Sequence, residues 1–229
     1  MLEIKGLQVC YGHAVALQGI DLMVRPGEMV FVVGRNGAGK TTLLKTIAGL
    51  LKPRAGEIAF DGRLITGLSA EKAARQGIRF VAQDKRVFSA LTVRSNIELA
   101  AYAAGWKLDR AVERVLSLYP KMEKFLDSPA GGLSGGQREI LLIGRALIGD
   151  PRLLMIDEPT EGLAAVVIKD IFTILNTMKE HKASIIVEQN LSVVSRLADR
   201  VYIIKEGKMI REIENRETIA DAGQLEQYL

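Results

Sequence analysis

Met29-Val30-Phe31-Val32-Val33 runs directly into Gly34-Arg35-Asn36-Gly37-Ala38-Gly39-Lys40-Thr41, a segment of the form G-x-x-x-x-G-K-[ST]. The apolar run has the length and continuity of a strand buried on both faces. Thr41 to Leu51 then reads as a helix, with Pro53 beyond its end. Glycines let such a loop wrap closely, so that backbone N–H groups point at a phosphate. A helix opening near Lys40 adds its positive N-terminal end. Lys40 is placed to reach the β- and γ-phosphates of a nucleotide, and the Thr41 hydroxyl to ligate Mg²⁺. The plain alternative is a flexible glycine loop. The strand before it and the helix after it favour nucleotide binding, with Gly34, Arg35, Asn36, Gly37, Ala38, Gly39, Lys40, Thr41 and Thr42 as the binding set.

Working outward, further apolar runs alternate with helical spacing. Ile78–Ala82, Leu153–Ile156, Ser184–Val187 and Val201–Ile204 read as buried strands, and Val166–Lys179 as a helix. Strand–helix–strand order predicts an α/β fold with a parallel sheet. The start differs. Leu2–Val9 alternates apolar and polar residues, the pattern of a half-exposed antiparallel strand, and Arg25-Pro26-Gly27-Glu28 reads as a turn. From about Thr92 to Leu147 no strand-like run occurs, and Asp109–Leu118 is helical, so a helical insertion interrupts the core. No repeat or linker splits the chain. One domain is expected over 1–229, with an α/β core of 1–91 and 150–229 and a helical part of 92–149.

Composition narrows the classes. The 229 residues carry Lys+Arg 31 and Asp+Glu 27, a net charge of +4, with 48% hydrophobic residues. Intrinsic disorder needs the opposite balance. A membrane span needs about 20 mostly apolar residues, and the longest apolar stretches are pieces such as Leu99–Trp106. The first residues, Met1 to Gly6, have no apolar segment and are not expected to act as a secretory signal. One cysteine, Cys10, excludes a disulfide framework and is expected to be a small buried hydrophobe. Two histidines, His13 and His181, leave little for zinc. A charge of +4 does not call for nucleic acid.

Two other segments carry chemistry. Leu153–Ile156 ends in Asp157-Glu158. An Asp at a strand tip can hold Mg²⁺ through water, and the next carboxylate can polarise an attacking water; the alternative is a strand end and a polar turn. Leu133-Ser134-Gly135-Gly136-Gln137 places a Ser and two glycines before a helix, a second anion-binding nest. Ser134 also serves as a helix N-cap, because the capping donors and the phosphate donors are the same groups.

Taken together, Gly34–Thr41, Leu133–Gln137 and Leu153–Glu158 resemble an ATP-binding cassette (ABC) ATPase over nearly the whole chain. The resemblance implies a RecA-like parallel core with an N-terminal antiparallel β subdomain and a helical insertion. It also implies a nucleotide-sandwich dimer. Ser134, Gly135, Gly136 and Gln137 of one subunit would close over ATP held by the other. Residue by residue, Tyr11 resembles the aromatic that stacks on adenine, or is an ordinary strand-end tyrosine. Gln83 matches the lid glutamine that senses Mg²⁺ and water, or is a loop residue without a role. Glu158 matches the catalytic carboxylate. Phe88 with Leu91-Thr92-Val93 resembles the segment beside the groove for a membrane subunit's coupling helix, or Phe88 is a buried aromatic.

Departures from the general pattern point to a branch. A histidine is usual after the strand ending at Val187, yet the sequence reads Val187-Glu188-Gln189-Asn190, so Gln189 takes the switch position. Glu161-Gly162-Leu163-Ala164 puts Ala164 where the cross-dimer Asp is usual. These segments, with Lys85-Arg86-Val87-Phe88 and Ile143–Leu147, resemble the ATPases of branched-chain amino acid importers and their urea and amide relatives. The match is to the shorter of two paired ATPases. Ala82, Asp84-Lys85 and Ala165 depart even from that branch. The resemblance implies ATP and Mg²⁺, a second ATPase subunit in a heterodimer (a homodimer in isolation), two permeases, a solute-binding protein, and a peripheral place on the cytoplasmic face of a bacterial inner membrane. A urea or amide importer is the next reading, then an exporter, then a soluble non-transport ATPase.

Overall fold

The computed structural model describes residues 1–84, 86–179 and 182–229; the readings that involve Lys85 and His181 lie outside them. In chain order the elements are β1 (Leu2–Tyr11), β2 (Ala14–Val24), β3 (Met29–Val33), α1 (Lys40–Ile47), β4 (Ala55–Phe60), β5 (Arg63–Leu64), α2 (Ala70–Arg75), β6 (Ile78–Val81) and α3 (Val93–Ala104). They continue with α4 (Leu108–Leu118), α5 (Gly135–Leu147), β7 (Leu153–Asp157), α6 (Ala165–Lys179), β8 (Ala183–Val187), α7 (Leu191–Leu197), β9 (Arg200–Lys205), β10 (Lys208–Ile213), α8 (Arg216–Ala220) and α9 (Ala222–Glu226).

Two sheets form. The larger has the order β10-β9-β3-β8-β7-β6. Its pairs are parallel from β9 to β6, and β10 closes one edge antiparallel. Every residue of β3, β7 and β8 is buried, which is why their sequences are continuously apolar. Alternate side chains feed two cores. Phe31, Val33, Leu154, Ile156 and Ile186 pack with α3 to α6. Val30, Val32, Met155, Ile185 and Val187 pack with α1 and the second sheet. That second sheet, β2-β1-β4-β5, is antiparallel and alternates buried and exposed residues along β1.

The expected α/β class, parallel core, antiparallel start and helical stretch are all present. Arg25 to Glu28 turns as expected, with the Glu28 N–H donating to the Arg25 carbonyl at 3.2 Å. The helix read as Thr41–Leu51 ends earlier, at Ile47, because the chain reverses through Gly49 at φ 74°. Cys10 is a correction: it is half-buried, not buried. The pairing of β1 with β4 stops at Gln8–Ala55, short of Cys10, and the Arg54 guanidinium lies 4.0 Å from its Sγ. Of the helices between Thr92 and Ile148, α3 and α5 start at side-chain caps and α4, after Lys107, does not. Thr92 accepts from the Ser95 N–H at 3.0 Å, and Ser134 caps α5. Among the described residues, no helix is long and apolar enough to cross a membrane.

Candidate functional site

The glycine loop joins β3 to α1 at the tips of the parallel strands. Two of its glycines are fixed by space. A Cβ on Gly34 would stand 2.3 Å from the Ile204 carbonyl oxygen; one on Gly39, at φ 106°, would stand 2.9 Å from that of Ala16. Only glycine fits where backbone meets backbone so closely. Gly39 leaves α1 without a side-chain cap, so its first N–H groups are directed at the loop's mouth, where an anion can satisfy them. Arg35, Asn36 and Gly37 are exposed, and Ala38 is buried.

Lys40 folds back under this loop. Its Nζ donates to the carbonyls of Gly34 at 2.8 Å and Arg35 at 3.1 Å. The same Nζ lies 3.1 Å from Glu158 Oε1, with the two side chains 4% and 5% exposed. Glu158 follows the tip of β7 at φ 50°, a conformation uncommon for a non-glycine residue, and its N–H is held by the Val187 carbonyl at 2.9 Å. Two amides complete its surroundings. Gln189 Nε2 donates to Glu158 Oε1 at 2.8 Å and to Asn36 Oδ1 at 2.7 Å. Gln83 Nε2 donates to Glu158 Oε2 at 3.2 Å and to Glu161 Oε2 at 2.7 Å. Residues far apart in sequence thus converge on one carboxylate, beside a cavity of about 310 Å³ lined by Asn36, Glu158, Thr160, Glu188, Gln189 and their neighbours.

Asp157, one residue back, is 1% exposed, and neither carboxylate oxygen has a hydrogen-bond partner among the described residues. Burial pushes its pKa up. The facing Thr41 hydroxyl counters this without a fully formed bond, as does the positive charge of Lys40. A buried carboxylate lacking donors, with a hydroxyl facing it, is an oxygen set that suits a hard cation keeping several waters and substrate phosphates. Mg²⁺ fits Asp157 and Thr41 on this ground. Gln83 is drawn instead to Glu158 and Glu161.

Tyr11, at the end of β1, reaches the first turn of α1. The residue is 51% exposed and its hydroxyl is 3.4 Å from Thr42 Oγ1. Ser134 and Gln137 close a capping box on each other: Ser134 Oγ accepts from the Gln137 N–H at 3.3 Å, and Gln137 Oε1 accepts from the Ser134 N–H at 2.9 Å. Ser134 and Gly135 are exposed, and none of Ser134, Gly135, Gly136 and Gln137 lines the Glu158 cavity of the same chain. His13 is exposed in the β1–β2 turn. Phe88 is 51% exposed, which corrects the alternative of a buried aromatic. Arg145 lies 5.2 Å from its ring centroid and lines a groove of about 810 Å³ together with Arg79, Phe80, Ala82, Arg86 and Ala100.

Sequence reading did not assign roles to Glu188 and Thr160. Glu188 is 2% exposed and accepts from the Thr160 hydroxyl at 2.9 Å. The available signal was an acid directly after a wholly apolar strand, beside the switch position.

The model of the ABC transporter family matches residues 17–161. The chain belongs to the ABC transporter family. Its curated relatives include the high-affinity branched-chain amino acid transport ATP-binding protein BraG of Pseudomonas aeruginosa, 37% identical over 92% of this chain and 91% of that one. The probable branched-chain amino acid transport ATP-binding protein LivF of Archaeoglobus fulgidus is 33% identical over 91% and 90%. Among solved structures, the cassette MJ0796, described as a dimeric post-hydrolysis state bound to ADP and Pi, superposes with a TM-score of 0.84. It is 27% identical and covers 93% of this chain and 98% of its own. Family and fold agree with what the phosphate loop, the Ser134 segment and the Asp157-Glu158 strand implied.

Proposed function

We propose that this cassette is the ATP-hydrolysing subunit of an importer for branched-chain, hydrophobic amino acids. The convergence of Lys40, Gln83 and Gln189 on Glu158, beside the uncapped start of α1, carries the ATPase reading. The names of BraG and LivF support the solute, as do the glutamine at position 189 and the alanine at position 164.

In this reading the N–H groups of the loop and α1 hold the triphosphate, with Tyr11 against the base. Lys40 exchanges its loop carbonyls and Glu158 for phosphate oxygens. That exchange frees Glu158 to orient and polarise water, a contribution of about 10²–10⁴-fold for a well-placed base. Gln189 turns its amide N–H to the γ-phosphate; an amide does not titrate near neutrality, so this donor keeps its charge state. Mg²⁺, held by Thr41 and Asp157 with Gln83 nearby, would neutralise phosphate charge. Ser134, Gly135, Gly136 and Gln137 of a second subunit supply the remaining donors. That subunit is a paired ATPase in a heterodimer, with a homodimer in isolation. Residues 92–149 form the helical subdomain beside the ATPase core of 1–91 and 150–229. The groove by Phe88 and Arg145 receives one of two permeases, which places the cassette on the cytoplasmic membrane face and couples it to a solute-binding protein. Nucleic acid has no part.

The test is Glu158→Gln. It should retain ATP binding, lose at least 100-fold in turnover, and accumulate an ATP-stabilised dimer in light scattering. Normal hydrolysis by this variant sinks the assignment of Glu158. For the solute, a binding protein loaded with leucine, isoleucine or valine should stimulate the ATPase of the reconstituted complex, and one loaded with urea should not.

A further inference from the structure

Glu188 sits where two strand tips meet. Oε1 accepts from the backbone N–H groups of Gln189 at 2.9 Å and Asn190 at 3.0 Å. Oε2 accepts from the Thr160 hydroxyl at 2.9 Å, and Thr160 is itself 5% exposed. One buried carboxylate thereby ties the turn after β8 to the loop that follows Glu158. On one side of this tie, Gln189 aims its amide at Glu158 and Asn36. On the other, the Glu158 backbone turns at φ 50°. A long side chain such as Gln189 has several rotamers, and an amide donates only where its backbone points it.

We propose that Glu188 is a positioning residue for hydrolysis, fixing Gln189 and the Glu158–Thr160 loop in one register. The proposal rests on the reading of Gln189 as a donor to the γ-phosphate and extends it one residue outward. Glu188 spends its oxygens on two backbone N–H groups and one hydroxyl, so its action passes through Gln189. Burial pushes its carboxyl pKa up, and hydrogen bonds from Asn190, Thr160 and Gln189 pull it back. That burial has a use only if the bonds hold something in place.

The experiment is a mutant cycle in the full chain, within the complex in which it hydrolyses ATP, reading kcat, KM for ATP and Tm. Glu188→Ala should lower kcat about ten- to a hundredfold, the scale for losing an outer partner of a catalytic group, with KM within about twofold. Glu188→Gln should restore most of the rate, since its carbonyl can accept from the N–H groups and its amide can donate to Thr160. In a Gln189→Ala background, Glu188→Ala should cost no more than about twofold further. Full multiplicative loss in that background, an unchanged kcat in Glu188→Ala, or no rescue by Glu188→Gln overturns the proposal. Should Glu188→Ala fail to fold, Thr160→Val cuts the Oε2 bond alone and must show the same dependence on Gln189. A wild-type rate in Gln189→Ala removes the reading of Gln189 and the proposal together. A slow Gln189→Ala beside a fast Glu188→Ala removes the proposal only.

Discussion

At the scale of single residues, Lys40 shows how a binding group is kept ready. A buried ammonium must be paired, and Lys40 satisfies its three protons with the Gly34 carbonyl, the Arg35 carbonyl and Glu158. Each partner can be exchanged for a phosphate oxygen, so the resting contacts preset the geometry of the bound one. Lys40→Ala removes the charge that a triphosphate requires and leaves Glu158 to Gln83 and Gln189. The variant should show no nucleotide-dependent rise in Tm, whereas saturating ligand at 100 Kd stabilises a competent protein by about 2.7 kcal/mol. A retained thermal shift with ATP would argue that another cation holds the phosphates.

Among elements, the start of α5 is governed by packing as much as by capping. A Cβ on Gly136 would lie 2.1 Å from Val167 Cγ1 of α6, while one on Gly135 would meet nothing nearer than Leu163 Cδ2 at 3.6 Å. The first glycine lets two helices touch; the second leaves an exposed nest open. Gly136→Val should therefore force α5 from α6 and cost about 1–3 kcal/mol, lowering Tm by roughly 2–12 °C at this chain length. Gly135→Ala should leave Tm within a degree or two of wild type. Equal stability of the two variants in a thermal melt would refute this division of roles. The sequence alone presents the pair as equivalent members of one nest, because nothing in Gly135-Gly136 says which one faces α6.

Across the whole molecule, Arg200 ties the end opposite the phosphate loop. It is 1% exposed, donates to Glu28 at 2.8 Å and also pairs with Glu212 and Glu214. These partners lie before β3, on β10 and just after β10, so one guanidinium joins the turn into the central strand to the C-terminal hairpin. Burial pulls its pKa down, but Glu28 and Glu212 more than offset this and hold it above the ordinary arginine range. Arg200→Ala takes the buried guanidinium from Glu28 and leaves it, among the described residues, only the exposed Arg25, 3.8 Å away. Chemical denaturation should show a loss of about 3–5 kcal/mol, and Glu28→Gln in that background should recover part of it. Additive losses in the double variant would show that the two residues do not act as a pair.

Much of this was legible in the residue order. The buried strands announce themselves because a sheet covered on both faces needs continuous apolar runs, as in Met29–Val33 and Leu153–Ile156. The phosphate loop is legible because its backbone path tolerates only glycine at Gly34 and Gly39. The β2 and β10 strands are less so: β2 is partly and β10 mostly exposed, and each takes its place from a neighbour, β1 and β9. What only the tertiary structure decided is which distant groups share a carboxylate. Gln83 and Glu158 lie 75 positions apart, Asn36 and Gln189 lie 153 apart, and no local pattern encodes such pairings. Local sequence determines the backbone because sterics and burial act residue by residue. The hydrogen bonds around Glu158 and Glu188 arise only when β3, β7 and β8 bring their tips to one edge of the sheet.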